Sequence, residues 1–527
     1  MSMAVPPFSL QDSRGDNISF PSGKPSIVCF VKEDCPTCKE VMPVLAALSD
    51  AFAGNLDLHV IGQTLDGNAV LEETFAPPFS LLDDSTLKVS FASDIDTVPT
   101  LFYNDATGAP NQTLIGFVRD EWQTLAQEIA AEAEVNPPAL DWPKLPEWRP
   151  GCGSLSVDPL IADKLRAESE NSPLRARRIE IGSGDDDMEF MYDQGFSDGL
   201  PLVSPTPERV LRMLAGTQRD PQEVLAVMPP NMGEVTVEKV AINAVMAGCK
   251  PEFMPVINTV VQAICTDEYN IHGVMATTMG ASPVIVVNGP IRDQIGMNMK
   301  LGALGQGNRA NATIGRAVRL LIRNMGGAQP GGTERSTLGN PMKFTMCFAE
   351  WEERNPWGPL HVERGFAASD SVVTIYTMTS GPTLIVDQDS RSGPQLAGTM
   401  GLTLEAAFNP RAHYAADCLL VVVPEHVDTF VKDGYTKADI RSRIQEVTAR
   451  PISDLAADDV SGAGFKASAI ESMSPEALER RLPKFKSTED IHIVVAGAEA
   501  GKFSGAFHGW VGGEIGSIPV SRKIDEL

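Results

Sequence analysis

Two cysteines separated by two residues, Cys35 and Cys38, form the pair whose spacing most directly indicates chemistry. In a reducing compartment such a close pair is typical of a redox or metal site. Thiol exchange needs a thiolate, which unpaired backbone N–H groups stabilise at a helix N-terminus. The second thiol then lies close enough to attack a mixed disulfide on the first. We therefore expect Cys35 to be the nucleophile and Cys38 the resolving thiol.

The residues around this pair predict a strand followed by a helix, with the cysteines at the turn between them. Residues 27–31 form an uninterrupted apolar, β-branched run, as expected for a buried strand. After the cysteines, apolar residues recur at helical spacing over 41–52, which places Cys35 at or near the helix N-terminus. Half of a zinc site is the competing interpretation, but no second Cys or His pair stands at ligand spacing, so we expect no metal.

Apolar runs at 56–61 and 101–103 predict further strands, and Thr97-Val98-Pro99-Thr100 immediately precedes the second run. This order of elements resembles the thioredoxin-like family, and Pro7-Phe8-Ser9-Leu10 is similar to its peroxiredoxin and thiol-disulfide reductase branch. The resemblance implies a thioredoxin-like fold for the first domain and a cis-proline, Pro99, facing the cysteine pair. The dipeptide between the cysteines differs from the family's usual Gly-Pro, so the reduction potential is not implied.

Length and composition limit the protein class. A chain of 527 residues with 43% apolar residues can form two or more domains with buried cores. The formal net charge of −26 argues against nucleic acid or an anionic membrane as the main partner. We see neither a secretory signal nor an apolar run long enough for a membrane helix, so we expect a cytoplasmic protein without a cofactor beyond its redox-active cysteines.

The pattern of prolines predicts three segments. Residues 1–135 are the redox domain, 136–195 a proline-rich, semi-rigid linker, and 196–527 a larger domain. Cys152 lies in this linker in a glycine-flanked turn, and we predict a thiol that can visit Cys35. The alternative is a cysteine that merely packs against a neighbouring tryptophan.

The larger domain alternates predicted strands with helical segments. Strands at 372–376, 418–423 and 491–496 alternate with helices near 396–408, 436–448 and 475–482, which indicates an α/β domain with a mixed or mostly parallel sheet. Ligands of such sheets bind beyond the carboxyl ends of strands. The glycine-rich turn after Ala496, with His508 further on, fits that rule.

Polar residues of this domain suggest a small-molecule site. A glycine-rich turn at 302–308, followed by Arg309, Asn311 and Arg316 on a helix, could hold an anion through backbone N–H groups, although the glycine spacing matches no nucleotide-binding motif and tight packing explains the glycines equally well. Further candidates stand elsewhere in the domain. They are Glu238 and Asn243 on a predicted helix, Cys249 just beyond its end, and His361 as a general base with Glu350.

For two of these candidates the sequence leaves alternatives open. The negative end of the preceding helix opposes ionisation of Cys249, so a structural thiol competes with a functional one. His361 could equally be bonded to the backbone and purely structural.

Residues 198–201, 236–249 and 309–316 together resemble the family named for its UGSC motif. Members of that family can carry selenocysteine and can be fused to a thioredoxin-like domain. Cys152-Gly153-Ser154-Leu155 would stand where the motif belongs, with cysteine for selenocysteine and leucine for the final cysteine. The resemblance then implies that Cys35 or Cys38 takes the role of the missing resolving thiol.

These observations predict a two-domain thiol oxidoreductase. The larger domain binds a small molecule, an anion being one candidate, and Cys152, favoured over Cys249, reacts with it. Cys35 and Cys38 then reduce the oxidised thiol, and a thioredoxin-reductase-like enzyme or a low-molecular-weight thiol supplies the electrons. The alternatives are a lyase or hydrolase using His361 or His508, and a non-catalytic redox sensor. A homo-oligomer is left open.

Overall fold

The computed structural model describes residues 4–169, 171–179, 181–182, 184–513 and 515–525. Two units, residues 1–179 and 180–527, each pack around their own core. The first unit is built on a mixed five-stranded sheet and also contains short strands outside that sheet. Its strands are β1 (Phe8–Gln11), β2 (Asn17–Phe20), β3 (Ser26–Val31), β4 (Asp57–Gly62), β5 (Leu82–Asp83), β6 (Thr97–Val98), β7 (Thr100–Asn104), β8 (Pro110–Ile115), β9 (Phe117–Val118), β10 (Trp148–Arg149) and β11 (Cys152–Gly153); its helices are α1 (Pro36–Ala51), α2 (Leu65–Phe75), α3 (Lys88–Ala92), α4 (Arg119–Glu132) and α5 (Pro159–Ser169).

The central sheet of the first unit has the strand order β5-β4-β3-β7-β8. The first three are mutually parallel, β7 runs antiparallel to β3, and β8 runs antiparallel to β7. All residues of β3 are buried, as its β-branched sequence predicts. The order β3-α1-β4, followed by an antiparallel hairpin and α4, is a thioredoxin-like arrangement. The α/β architecture predicted for this region is confirmed, and its elements follow the order that the thioredoxin-like resemblance implies.

The proline-rich segment that follows α4, predicted as a semi-rigid linker, packs against the first unit. Trp142 packs into the core of the first unit, β10 pairs with β9, and β11 pairs with β6. Gly151 makes the close approach of β11 possible, because a Cβ there would lie 2.2 Å from the Thr97 side chain and 2.7 Å from the Val98 carbonyl oxygen. The prolines rule out a long ladder but not two-residue strands, so the segment lies against the first unit up to Cys152.

The strands of the second unit are β12 (Val224–Met228), β13 (Gly233–Thr236), β14 (Ser282–Asn288), β15 (Cys347–Ala349), β16 (Val372–Val386), β17 (Ala416–Val422), β18 (Arg450–Pro451), β19 (Arg481–Leu482), β20 (Ile491–Val495), β21 (Phe503–Val511) and β22 (Val520–Lys523). Seven of them form a mixed sheet in the order β15-β14-β16-β21-β17-β20, with β22 also paired to β16. The pairs β14·β15 and β17·β20 are parallel and the others antiparallel, so the predicted mixed α/β architecture is confirmed.

The strands of this sheet bury side chains on both of its faces. Along β17, Cys418, Leu420 and Val422 belong to one hydrophobic cluster and Leu419 and Val421 to another, as the alternation of a strand requires. The first cluster includes side chains of α14 (Gly393–Leu404), α15 (Pro424–Lys432) and α16 (Lys437–Thr448). The helices are α6 (Asp187–Asp193), α7 (Pro207–Leu214), α8 (Val237–Ala247), α9 (Met254–Ile264), α10 (Ile271–Ala276), α11 (Ile291–Gln294), α12 (Arg309–Asn324), α13 (Leu360–Glu363), α14 (Gly393–Leu404), α15 (Pro424–Lys432), α16 (Lys437–Thr448), α17 (Ala467–Glu471) and α18 (Pro475–Glu479).

Within the described ranges, no helix combines the length and the apolar character that crossing a bilayer requires.

Candidate active site

Cys35 occupies the N-cap position of α1, as the sequence predicts. Its backbone is extended, with φ −86° and ψ 115°, and Pro36 begins the helix. The Cys35 sulfur accepts a hydrogen bond from the backbone N–H of Cys38 at 3.4 Å. Proline suits the first helical position because its missing N–H would have no helical partner there. The local sequence therefore points the free N–H groups of the first turn at the sulfur.

The hydrogen bonds around Cys35 favour its thiolate. The thiol of Cys38 donates to the Cys35 sulfur and is the main cause that lowers the pKa of Cys35 to about 5. The Cys152 thiol and the backbone N–H groups of Cys38 and Thr37 act in the same direction, against the opposing effect of burial. Cys35 is therefore charged at neutral pH and able to act as a nucleophile.

Cys38 and Cys152 are the two thiol donors. Burial, followed by the hydrogen bond to Cys35, raises the pKa of Cys38 far above its usual range. The bond that Cys152 donates to Cys35, followed by burial, also raises the pKa of Cys152. All three cysteines are reduced in this structure. One thiolate with two protonated neighbours is an arrangement in which Cys35 can form a disulfide with either of them.

Cys152 reaches this position through the pairing of β11 with β6. In that pairing Cys152 is opposite Val98, and the carbonyl oxygen of Val98 lies 3.4 Å from the Cys35 sulfur. The Val98–Pro99 peptide bond is cis, which agrees with the expectation for Pro99. Trp148, the alternative packing partner of Cys152, is 60% exposed. The structure thus brings Cys35, Cys38 and Cys152 together beside Pro99.

Side chains that the sequence did not single out fix the segment that carries Cys152. The Thr37 hydroxyl donates to the Pro150 carbonyl oxygen at 2.6 Å, and Lys32 Nζ donates to the Gly153 carbonyl oxygen at 3.1 Å. Gln63, which is almost fully buried, donates to Ser154 Oγ at 2.6 Å. A polar residue directly after the buried strand β4 was the signal that could have drawn attention to Gln63.

In the second unit, Cys249 lies just beyond α8, where Gly248 ends the helix with a φ of 86°. The Cys249 thiol donates to the Thr313 carbonyl oxygen at 3.3 Å, and burial raises its pKa to about 12. Arg309 donates to the carbonyl oxygens of Gly248 at 2.8 Å and of Cys249 at 3.3 Å. Arg309 therefore caps the end of α8, and Cys249 remains protonated.

Arg316 and Asn311 are also bonded within the chain. Arg316 forms a two-pronged ion pair with Asp198, both contacts being 2.9 Å, and donates to the carbonyl oxygens of the next turn. Asn311 joins Asn298 to Ala303. The stretches 198–201, 236–249 and 309–316 thus meet in one hydrogen-bonded cluster, in which these side chains bind protein groups.

The remaining predicted residues are buried at separate places. Glu238 accepts from Gln222 at 2.9 Å, and Asn243 accepts from Asn324 at 2.9 Å. His508 lies 3.3 Å from the Thr383 hydroxyl, and burial lowers its pKa. Their roles in substrate binding stay predictions.

His361 and Glu350 lie in a buried polar cluster at the end of β14 and β15. Burial raises the pKa of Glu350, whose carboxylate accepts from Asn288 at 2.6 Å, from Asn355 at 2.7 Å and from the backbone N–H of Leu360 at 2.7 Å. His361 is fully buried, and its nearest carboxylate is that of Glu352 at 3.7 Å. The predicted role of His361 as a general base stays a prediction.

A small cavity of about 270 Å³ lies where the sequence places a ligand site, beyond the carboxyl ends of β17 and β20. It is lined mainly by apolar and glycine residues from two loops, 302–304 and 497–505. In the part of the chain that the structure describes, no group of three or more His, Cys, Asp or Glu is arranged to hold a metal ion.

No family model and no curated protein matches the chain. Solved structures similar to it include a putative thiol:disulfide interchange protein DsbE from Chlorobium tepidum (18% identity, TM-score 0.23), StoA from Bacillus subtilis (24%, 0.21) and a putative thioredoxin from Neisseria meningitidis (24%, 0.23). In the same order, the matches cover 25%, 23% and 25% of this chain and 95%, 98% and 91% of the solved chains.

Proposed function

We propose that the first unit is a thiol–disulfide oxidoreductase centre that keeps Cys152 reduced. The observation that carries this proposal is the pairing of Cys152 with Val98, whose carbonyl oxygen lies 3.4 Å from the Cys35 sulfur. The lowered pKa of Cys35, about 5, supports it. A thiolate at neutral pH stands beside one buried thiol, Cys38, and one partly buried thiol, Cys152. Cys35 is the nucleophile, Cys38 the resolving thiol, and Cys152 the thiol that meets the oxidised substrate.

The proposed cycle moves two electrons. An oxidised Cys152, as a sulfenic acid or a mixed disulfide, is attacked by the Cys35 thiolate, which forms the Cys35–Cys152 disulfide. Hydroxide or the thiolate of the bound group leaves and takes the proton that Cys38 gives up. The Cys38 thiolate then attacks the Cys35 sulfur, so that Cys152 leaves as a thiolate and the Cys35–Cys38 disulfide forms. A thioredoxin-reductase-like enzyme or a low-molecular-weight thiol reduces that disulfide.

Cys249, the competing reactive thiol, has the less suitable surroundings. It is buried, its thiol is bonded to a backbone carbonyl oxygen, and its pKa is raised to about 12. Thiol exchange requires the thiolate and access to the attacking sulfur. These contacts favour Cys152 over Cys249.

The second unit is proposed to bind the small molecule whose reaction oxidises Cys152. The support for this part is the joining of the redox centre, in one chain, to a larger unit that contains cavities of about 530 and 270 Å³. The first of these volumes is within the range of roughly 300–1,000 Å³ that small-molecule sites occupy.

Trapping the proposed intermediate tests the centre. The variant Cys38→Ser lacks the resolving thiol, so one equivalent of hydrogen peroxide should leave the Cys35–Cys152 disulfide in place, as detected by peptide mass mapping without reductant. Cys38→Ser with Cys152→Ser should lose this cross-link, whereas Cys38→Ser with Cys249→Ser should retain it. A cross-link from Cys35 to Cys249, or none within the chain, would overturn the proposal.

A further inference from the structure

The cavity of about 530 Å³ in the second unit lies at the opposite end of the sheet from the predicted ligand site. It is bounded by the amino ends of β17 and β20 and by the loops that follow α13 and β21. Neither of the glycine-rich loops that the sequence pointed to lines it. The polar residues of its wall are charged side chains of both signs, and their partners decide what the cavity could bind.

Most acidic groups of the wall already have partners. Glu363 is paired with Lys437 at 2.6 Å and with Arg441 at 2.5 Å. Asp490 accepts a hydrogen bond from the backbone N–H of Ser487 at 2.9 Å, which closes a turn. Glu489 is an exposed acid on the same lining. Of these three acids, only Glu363 is therefore paired with cations within the described part of the chain, since the donor to Asp490 is a neutral backbone N–H.

Two cations of the wall are free to meet a ligand. Neither Arg364 nor Lys486 forms an ion pair with another residue among those that the structure describes, although both line the cavity. The Arg364 guanidinium lies over the ring of Tyr376, 5.5 Å from its centre, and this contact helps to hold the guanidinium at the cavity wall. In a chain of net charge −26, two such cations on one cavity form a local site for an anion.

A histidine–aspartate pair completes the wall. His492 Nε2 lies 3.3 Å from Asp417 Oδ2, and the imidazole ring packs on Tyr376 with 4.8 Å between ring centres. Gly509 leaves the space for this carboxylate, since a Cβ there would lie 1.7 Å from Asp417 Oδ1. The pair is thus built into the sheet, and the hydrogen-bonded Asp417 carboxylate lines the same cavity as Arg364 and Lys486.

We propose that this cavity binds a small molecule bearing an oxyanion, a carboxylate or a phosphate group, held by Arg364 and Lys486. A planar guanidinium offers two parallel N–H donors to either group, and a lysine adds a point charge. Only the statement that this ligand is the substrate rests on the proposed function. Binding itself needs no cysteine and is expected unchanged in a Cys35→Ser, Cys152→Ser variant.

Calorimetric titration of the full chain tests the site. Succinate and citrate form the carboxylate arm, and inorganic phosphate and glycerol 3-phosphate form the phosphate arm. The arm that binds identifies the chemical class of the ligand. We expect saturable binding in one arm, and a loss of affinity of about tenfold or more in Arg364→Gln, as for removal of a charge-assisted hydrogen bond. Lys486→Gln should show a smaller loss.

The matched control is Lys432→Gln, which removes an exposed lysine of the same unit outside the cavity lining and should leave the affinity unchanged. Circular dichroism checks that each variant is folded. No saturable binding in either arm, or equal affinity in the wild type and in folded Arg364→Gln, would overturn the proposal. If binding persists while the Cys35–Cys152 cross-link fails to form, this site stands and the proposed thiol cycle does not.

Discussion

The sulfur atom of Cys35 accepts hydrogen bonds from the thiols of Cys38 and Cys152 and from the backbone N–H groups of the first helical turn. These donors favour the thiolate in the folded protein, so the lowered pKa also contributes to stability. That contribution is fully present above the unfolded-state thiol pKa of 9.0 and is lost as the pH falls through about 5. The reduced protein should thus lose part of its stability in mild acid.

Removing the donor at position 152 should make Cys35 less acidic. In Cys152→Ala the pKa of Cys35 is expected to rise from about 5 to roughly 6, because a charge-assisted hydrogen bond is lost. Cys152→Ser keeps a hydroxyl donor and should give a smaller rise. The measurement is the rate of Cys35 alkylation by iodoacetamide against pH, which should fall as the pH drops through the pKa. An unchanged profile in Cys152→Ala would contradict the proposed hydrogen bond.

At this scale the sequence predicted the site in part. The apolar run before Cys35 and the helical spacing after Cys38 were enough to predict the N-cap position, because both are local patterns. The partners of Arg309 and Arg316 were not predictable. A sequence shows the position of an arginine in the chain. It does not show that Arg309 already donates to a distant carbonyl oxygen or that Arg316 is already paired with Asp198.

At the scale of elements, the two-residue strand β11 decides where the third thiol lies. Its position depends on pairing with β6, which is far away in the chain, and on the absence of a side chain at Gly151. Proline-rich composition predicted only a linker, since it excludes long ladders but contains no information on short pairings. The sequence therefore predicted that Cys152 can visit Cys35, but not the strand pairing that places it there.

Adding one methyl group should displace this strand. In Gly151→Ala the new Cβ would lie 2.7 Å from the Val98 carbonyl oxygen, a backbone atom that cannot move aside cheaply. We expect Gly151→Ala in the Cys38→Ser background to lower the yield of the Cys35–Cys152 disulfide severalfold, measured by peptide mass mapping. Gly153→Ala is the control, because nothing lies within 4 Å of a Cβ at that position. Equal yields in the two variants would show that β11 does not position Cys152.

At the scale of the whole molecule, the chain divides after residue 179 into units with separate cores. The general α/β architecture of both followed from the alternation of strands and helices. The sequence left open whether the larger sheet is mixed or mostly parallel, because strand direction is set by connections that a single sequence does not reveal.

The first unit should therefore fold by itself. A fragment of residues 1–179 is expected to give a cooperative urea transition and a Cys35 pKa of about 5, because the donors and the core around Trp142 are all present. A fragment of residues 1–135 lacks Trp142 and Cys152 and should be less stable, with a higher Cys35 pKa. Urea titration and alkylation kinetics of both fragments provide the measurement. If the two fragments behave alike, the segment after residue 135 contributes nothing to the first unit.

The seating of Cys152 against Cys35 has a kinetic consequence. A reaction partner carried on the same chain and held in place has an effective concentration on the order of millimolar or higher, without any diffusion step. Soluble thiols and foreign disulfides must compete with that local concentration for the Cys35 sulfur. Most thiol–disulfide exchange at Cys35 should therefore take place with cysteines of the same chain.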